Sequence, residues 1–209
     1  MNDWANQIEE NLGWREGELA SIKILLSTTN KESVRYKALL RSLVVLLYAH
    51  YEGFCKFAWD LYLDTIEQEK VKRHECCEEI IKLSLRKKFK ELGGDLSSKS
   101  IWDFFTKNLP EFLNEEVEFK IHLETESNLW TNLLKANSTD AGLACLMADS
   151  NQILLKTLVG RRNNIAHGQK EIIADLAEYE KYERAAFEAM IELGLSVVEC
   201  LEQRKYLNR

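Results

Sequence analysis

Between Glu32 and Glu69 the chain carries no proline and a single glycine, Gly53, and its apolar residues recur in steps of three and four. Leu40, Leu43, Leu47, His50, Phe54, Phe57 and Leu61 make a stripe with one histidine in it. That spacing closes onto one face of an α-helix and does not fit the two-residue alternation of a strand. A helix of this length needs partners for its stripe, so the segment commits the chain to helix-on-helix packing. The rest agrees: one proline, Pro110, and nine glycines are too few for the many turns of an all-β protein.

Other stretches extend the pattern. Trp4 to Leu26 fits helical spacing, and Thr28-Thr29-Asn30 breaks it and can cap the next helix. His74 to Leu92 reads as a helix ending at Gly93-Gly94, and Ser98 to Leu113 as a short one carrying Trp102, Phe104 and Phe105, with Pro110 near its end. These aromatics, and Trp130, are expected in the core rather than as stacking platforms. Val117, Phe119, Ile121 and Leu123 alternate with polar residues, which suits a short strand. Glu126 to Ala136 reads as helix and Asn137 to Gly142 as loop. Gln152 to Ala166 is helical, with Gly168 as terminator. The last helix, about Ile172 to Tyr206, presents Leu176, Tyr179, Ala186, Met190, Leu193, Val197 and Leu201 on one side. The expected fold class is all-α, an antiparallel helical bundle.

At 209 residues the chain suits a single domain. No apolar run approaches the roughly 20 residues needed to span a bilayer, so no membrane partner is expected. The beginning, Met1-Asn2-Asp3-Trp4, lacks the basic and apolar regions of a secretion signal. Five cysteines, an odd number with Cys76 and Cys77 adjacent, do not resemble a disulfide framework, and a cytoplasmic location is expected. Cys55, Cys145 and Cys200 read as small buried hydrophobes. His74, Cys76 and Cys77 have no second cluster at zinc-ligand spacing, and no phosphate loop, nucleophile elbow or dinucleotide fingerprint occurs. No metal or cofactor is therefore expected. The net charge of −6 argues against indiscriminate nucleic-acid coating. Lys70 to Lys90 is locally basic, and reads as a solvated, sign-alternating helix face more readily than as a phosphate guide.

One short segment sets an always-charged phosphate binder near a group that moves protons near neutral pH: Arg162-Asn163-Asn164-Ile165-Ala166-His167-Gly168. With four histidines in the chain the spacing alone is weak, and the same residues can serve as a helix C-cap. The surrounding segment, Leu155 to Gly168, resembles the signature of the HEPN superfamily. Its ribonuclease members carry Arg, a polar residue directly after it, and His four to six positions from the Arg. The stretch Leu46-Leu47-Tyr48-Ala49-His50-Tyr51-Glu52-Gly53-Phe54 looks like the long-helix segment of the prokaryotic ribonuclease-like (RiboL-PSP-HEPN) branch. The resemblance covers most of the chain from about Ser33 onward. It implies a single HEPN-type bundle over residues 1–209, with core helices at about 32–92 and 150–206 and a helical insertion at about 95–150.

The resemblance also implies an activity: metal-independent RNA cleavage by 2′-hydroxyl attack, in a toxin or antiviral effector. His167 would then be the general base or acid, Arg162 would stabilise the transition-state charge, and Asn163 would orient phosphate or imidazole. The substrate would be RNA, and a homodimer would bring two motifs to one cleft. An inhibitory or sensor protein is a further expected partner. Related toxins controlled by nucleotidyltransferases often have tyrosine two positions after the histidine, where this chain has Gln169; control by modification is not expected. Arg161, Glu52 and Tyr48 are secondary substrate-binding candidates. Arg161 has a solvated alternative and Glu52 a structural one, and His50 reads as a satisfied core histidine. The competing function is a non-catalytic helical interaction or nucleotide-sensing module.

Overall fold

Ser33 opens the central helix. Its Oγ accepts the Tyr36 backbone N–H at 3.1 Å, in a computed structural model that describes residues 3–94, 97–120 and 125–208. The helix it caps, α2 (Val34–Gln68), is the longest of the chain. The cap is Ser33 rather than Thr28-Thr29-Asn30, because Asn30 spends its side chain on the Glu32 N–H in the connecting turn. Leu40, Leu43, Leu47, His50 and Phe54 are buried as the stripe requires, whereas Phe57 and Leu61 are only partly so. Burial passes instead to Ala58, Trp59, Tyr62 and Ile66. A strict three-four stripe drifts around a straight helix, so the buried face rotates along its length.

Three helices surround α2: α1 (Trp4–Ser27), α9 (Gln152–Ala166) and α10 (Leu176–Glu202), the last packing on it most extensively. Asp175 caps α10 by accepting the Glu178 N–H at 2.8 Å. Tyr179, Ala186, Met190, Leu193, Val197 and Leu201 are buried on its inner face, as expected. Gly194 lets α1 approach closely: a Cβ there would stand 2.7 Å from Ile8 Cγ2. The fold is all-α and helical-bundle in class, with no named strand among the described residues.

His50 is a partnered core histidine. Nδ1 lies 3.3 Å from Arg15 Nη1, Nε2 lies 3.0 Å from Glu18 Oε2, and the ring meets Trp14 edge-on at 5.2 Å. Gly53 faces the same buried guanidinium, where a Cβ would make ordinary contact at 3.5 Å. The glycine keeps the passage for Arg15 clear of anything longer than a methyl group.

Between α2 and α9 the chain departs from expectation in several places. The stretch from His74 to Leu92 is not one helix. It is a 3-10 turn (Arg73–Glu75), α3 (Glu78–Ser84) and α4 (Arg86–Gly93). The segment past α10 pins Cys76 and Cys77 in extended form, with the Cys77 N–H donating to Tyr206 O at 2.8 Å and the Asn208 N–H to Glu75 O at 2.8 Å. The strand expected at Val117–Leu123 reduces, in its described part, to one isolated bridge next to it, Lys72 to Glu116. Ile121 and Leu123 lie outside the described residues. Helix α5 (Ser98–Asp103), a π-turn (Phe104–Asn108) and α6 (Leu109–Asn114) follow the expected Ser98–Leu113 segment. Phe104 is buried there, but Trp102 and Phe105 are exposed, contrary to a core placement.

Helix α7 starts at Thr131, not Glu126, and runs to Asp140, through residues whose composition suggests loop. Asn137 folds back to donate to Leu133 O at 2.8 Å, so its polarity is satisfied within the helix it was expected to end. Gly142, at φ +70°, is the actual terminator. The N–H of Gly142 bonds to Thr139 O and that of Leu143 to Ser138 O, the paired bonds that close a helix C-terminus. Helix α8 (Leu146–Ser150) then leads into α9. Cys145 is only partly buried, unlike Cys55 and Cys200. Half of the basic residues from Lys70 to Lys90 are ion-paired: Arg73 with Glu115, Lys82 with Glu78, Arg86 with Asp140 and Lys88 with Glu91.

Candidate functional site at the end of α9

Leu155, Leu158 and Val159 bury one side of α9 against the core, which fixes the direction of the polar residues in its last turns. Gly168, at φ +75°, ends the helix. Its N–H bonds to Ile165 O at 3.0 Å and the Gln169 N–H to Asn164 O at 2.9 Å. The C-cap role open to the His-Gly pair is therefore realised, with His167 at the cap and Gly168 just past it.

Arg162 turns inward. Its guanidinium lies over the Tyr48 ring, 4.5 Å from the centroid, and Nη1 donates to Asn128 Oδ1 at 2.8 Å and to Asn163 Oδ1 at 3.4 Å. Nε and Nη2 have no hydrogen-bond partner among the described residues. Tyr48 is buried beneath, its Oη accepting the Leu129 N–H at 2.8 Å. Glu52, one turn along α2, is held by Lys56. Burial pushes the Glu52 carboxyl up, but hydrogen bonds from Lys56 and Tyr48, with the Arg162 charge, bring it below its ordinary value. It is thus a fixed carboxylate near neutral pH. Burial, with the Glu52 hydrogen bond, pushes the Tyr48 phenol well up, so it stays protonated.

His167 is exposed at the helix end. No hydrogen bond or ion pair joins it to Arg162 among the described residues. Five positions on an α-helix turn roughly 140°, so the two side chains leave α9 on different faces. Of the six expected site residues, the structure brings Arg162, Asn163, Tyr48 and Glu52 together, and leaves His167 and Arg161 apart from them. Arg161 is engaged elsewhere: it donates to Ile172 O at 2.8 Å, pairs with Glu178, and lies 3.9 Å from Glu171. It ties the 167–175 connection to α10. Arg41 holds the same connection, donating to Gln169 O at 3.1 Å.

Sequence reasoning did not reach Asn128. Its signal was hidden because Glu126 and Ser127, at φ 44° and 76°, form a left-handed turn with no glycine to mark it. Beside the motif runs an apolar groove of about 580 Å³ lined by Ile22, Ala38, Val45, Leu46, Ala49 and Ile165, among others. No group of three or more metal-ligating side chains occurs among the described residues, and no helix is long and apolar enough to cross a membrane.

A family model, that of HEPN_MAE_28990-like HEPN domains, matches residues 4–206. It bears out the superfamily expected from the two motif stretches and extends it over α1, which lay outside that resemblance. No curated protein and no solved structure matches the chain.

Proposed function

The chain belongs to the HEPN_MAE_28990-like HEPN family, and from that membership we propose that it is a metal-independent endoribonuclease, a toxin or antiviral effector that cuts RNA. Membership points to a nuclease-like or defence-related role. The observation that carries the finer reading is the state of Arg162, one edge held by Asn128 and the other unengaged among the described residues. A guanidinium fixed in this way can offer two parallel N–H donors to a phosphate without first losing conformational freedom.

In this mechanism a base takes the proton from a ribose 2′-hydroxyl, and O2′ bonds to the adjacent phosphorus. The bond from phosphorus to O5′ breaks, and an acid gives O5′ a proton, leaving a 2′,3′-cyclic phosphate and a 5′-hydroxyl. Arg162 neutralises the crowded phosphate and Asn163 helps orient it. His167 moves the protons. Because His167 leaves α9 on a different face from Arg162, it acts on the phosphate bound by a second copy. The active species is a homodimer with two composite sites, and the apolar groove beside Ile165 is the surface available for that copy to cover. Glu52, held as a carboxylate, supports the Arg162 charge and is not a proton donor. Tyr48 is the floor under Arg162, and Arg161 stays with Glu178. Gln169 is no target for tyrosine modification, so restraint of the enzyme falls to an inhibitory or sensor protein.

The test is RNA cleavage in chelator by parent and His167→Ala protein, with end-group analysis and sedimentation. The variant is expected to lose at least about 100-fold in rate, the lower range for removal of a general acid or base. Equal rates would overturn the assignment. One observation favours a second reading: among the described residues of a single chain Arg162 has no hydrogen bond to an imidazole. In a monomer the pocket would serve phosphate or nucleotide recognition without turnover, in a non-catalytic interaction or sensing module. Stoichiometric nucleotide binding with intact RNA would establish that reading instead.

A further inference from the structure

Arg162 is a long side chain on the last turns of a helix, and such a group ordinarily samples many rotamers. Here three features restrict it. Tyr48, itself buried and anchored by the Leu129 N–H, lies beneath it, its ring centroid 4.5 Å from the guanidinium carbon. Asn163 is adjacent in the chain. Asn128, 8% exposed, accepts from Nη1 at 2.8 Å. Arginine has only donors, so the atom facing it must be the amide oxygen, which sets the orientation of the Asn128 side chain.

The backbone around Asn128 is unusual. The Asn128 N–H closes a tight turn onto Thr125 O at 2.7 Å, and both central residues, Glu126 and Ser127, have left-handed φ. Side-chain-bearing residues adopt that conformation reluctantly, and two in succession persist only when the surroundings impose it. What the turn delivers is a pair of neighbouring contacts to the site. Residue 128 grips the guanidinium from the side and residue 129 grips the tyrosine beneath it. The segment between α6 and α7, remote in sequence from the motif, thereby holds both halves of the Arg162 environment.

We infer that Asn128 is the positioning residue for Arg162, fixing Nη1 so that Nε and Nη2 face the scissile phosphate; this rests on the ribonuclease reading for its consequence but not for its geometry. Asn128 acts through Arg162 and touches no reacting atom. Asn128→Ala removes the grip. Asn128→Asp keeps an acceptor oxygen in place and adds a charge that suits a guanidinium.

Two measurements test it on the full chain. In the first, nitrogen-15 relaxation of the Arg162 Nε–H reports side-chain order without substrate. It is expected to be ordered in the parent, mobile in Asn128→Ala and ordered again in Asn128→Asp. An equally ordered Arg162 in Asn128→Ala overturns the inference. In the second, RNA cleavage is compared across Asn128→Ala, Arg162→Ala and the double variant. Asn128→Ala is expected to lower kcat at least tenfold with KM little changed, Asn128→Asp to recover most of it, and the double variant to be no slower than Arg162→Ala alone. A further loss in the double variant means a structural role only and refutes positioning. If the parent does not cut RNA, the function proposed above fails, while the relaxation measurement still decides whether Asn128 orders Arg162.

Discussion

His50 allows a stability prediction with its sign fixed by geometry. The Arg15 guanidinium carries donors only, so His50 Nδ1, 3.3 Å from Nη1, must offer a lone pair. The ring proton then sits on Nε2, 3.0 Å from Glu18 Oε2, and the imidazole is neutral. A second proton would have to go onto Nδ1, against a buried positive charge. Burial lowers the His50 pKa, the Arg15 charge lowers it further, and Glu18 offsets part of this. The folded value therefore lies below the unfolded one of about 6.5. Between those two values the unfolded chain binds a proton that the folded chain refuses, so the contribution is complete above about pH 6.5 and is lost as pH falls. Within the window the loss is up to about 1.4 kcal/mol per pH unit. Taking the protein from pH 7.5 to 5.5 crosses about one unit below the free-histidine value, so a loss of at most about 1.4 kcal/mol is expected. His50→Gln can still accept from Arg15 but does not titrate, and the other three histidines are common to both proteins. Urea unfolding of parent and variant at fixed ionic strength gives the difference directly. If the two proteins lose stability equally over this range, or the parent gains, then the tautomer and the sign are wrong.

Two further outcomes follow from packing and helical phase. Gly194→Ala gains up to about 1 kcal/mol of helix propensity, but its methyl would stand 2.7 Å from Ile8 Cγ2 and 3.3 Å from Phe54 Cζ; with overpacking at about 1–3 kcal/mol, a net loss of up to about 2 kcal/mol is expected in urea unfolding, and a gain would contradict the close approach of α1 and α10. Combining Ala166→His with His167→Ala moves the imidazole onto the Arg162 face of α9; a site shared between two copies loses activity as fully as with His167→Ala alone, and a site within one chain retains or gains it in the same RNA assay.

The bundle was legible because its signal is redundant. The α2 stripe and the α10 stripe each repeat over many turns, so single exceptions such as His50 do not obscure them. The middle of the chain was not, because tertiary contacts decide it. Cys76 and Cys77 are drawn out of helix by the segment after α10, a pairing between residues far apart in the chain. Asn137 and Ser138 read as loop by composition, yet they sit buried in α7, with Asn137 bonded back to its own helix. The site divides in the same way. Arg162, Asn163, Tyr48 and Glu52 lie on two well-marked helices and could be named from sequence, whereas Asn128 arrives on a turn whose two left-handed positions, Glu126 and Ser127, carry no glycine, asparagine or aspartate.

The four-residue gap between Arg162 and His167 has a physical consequence that the spacing alone conceals. A group that stabilises charge is most effective when it cannot move, because reorganisation at the moment of reaction costs free energy. In the proposed ribonuclease Arg162 would meet that need by turning inward onto Tyr48 and Asn128. A proton carrier has the opposite need, since it must exchange its proton and reset between turnovers, and His167 sits exposed at the helix cap. The gap of four turns Arg162 and His167 onto different sides of α9, which is why the ribonuclease proposed above calls on a second copy of the chain.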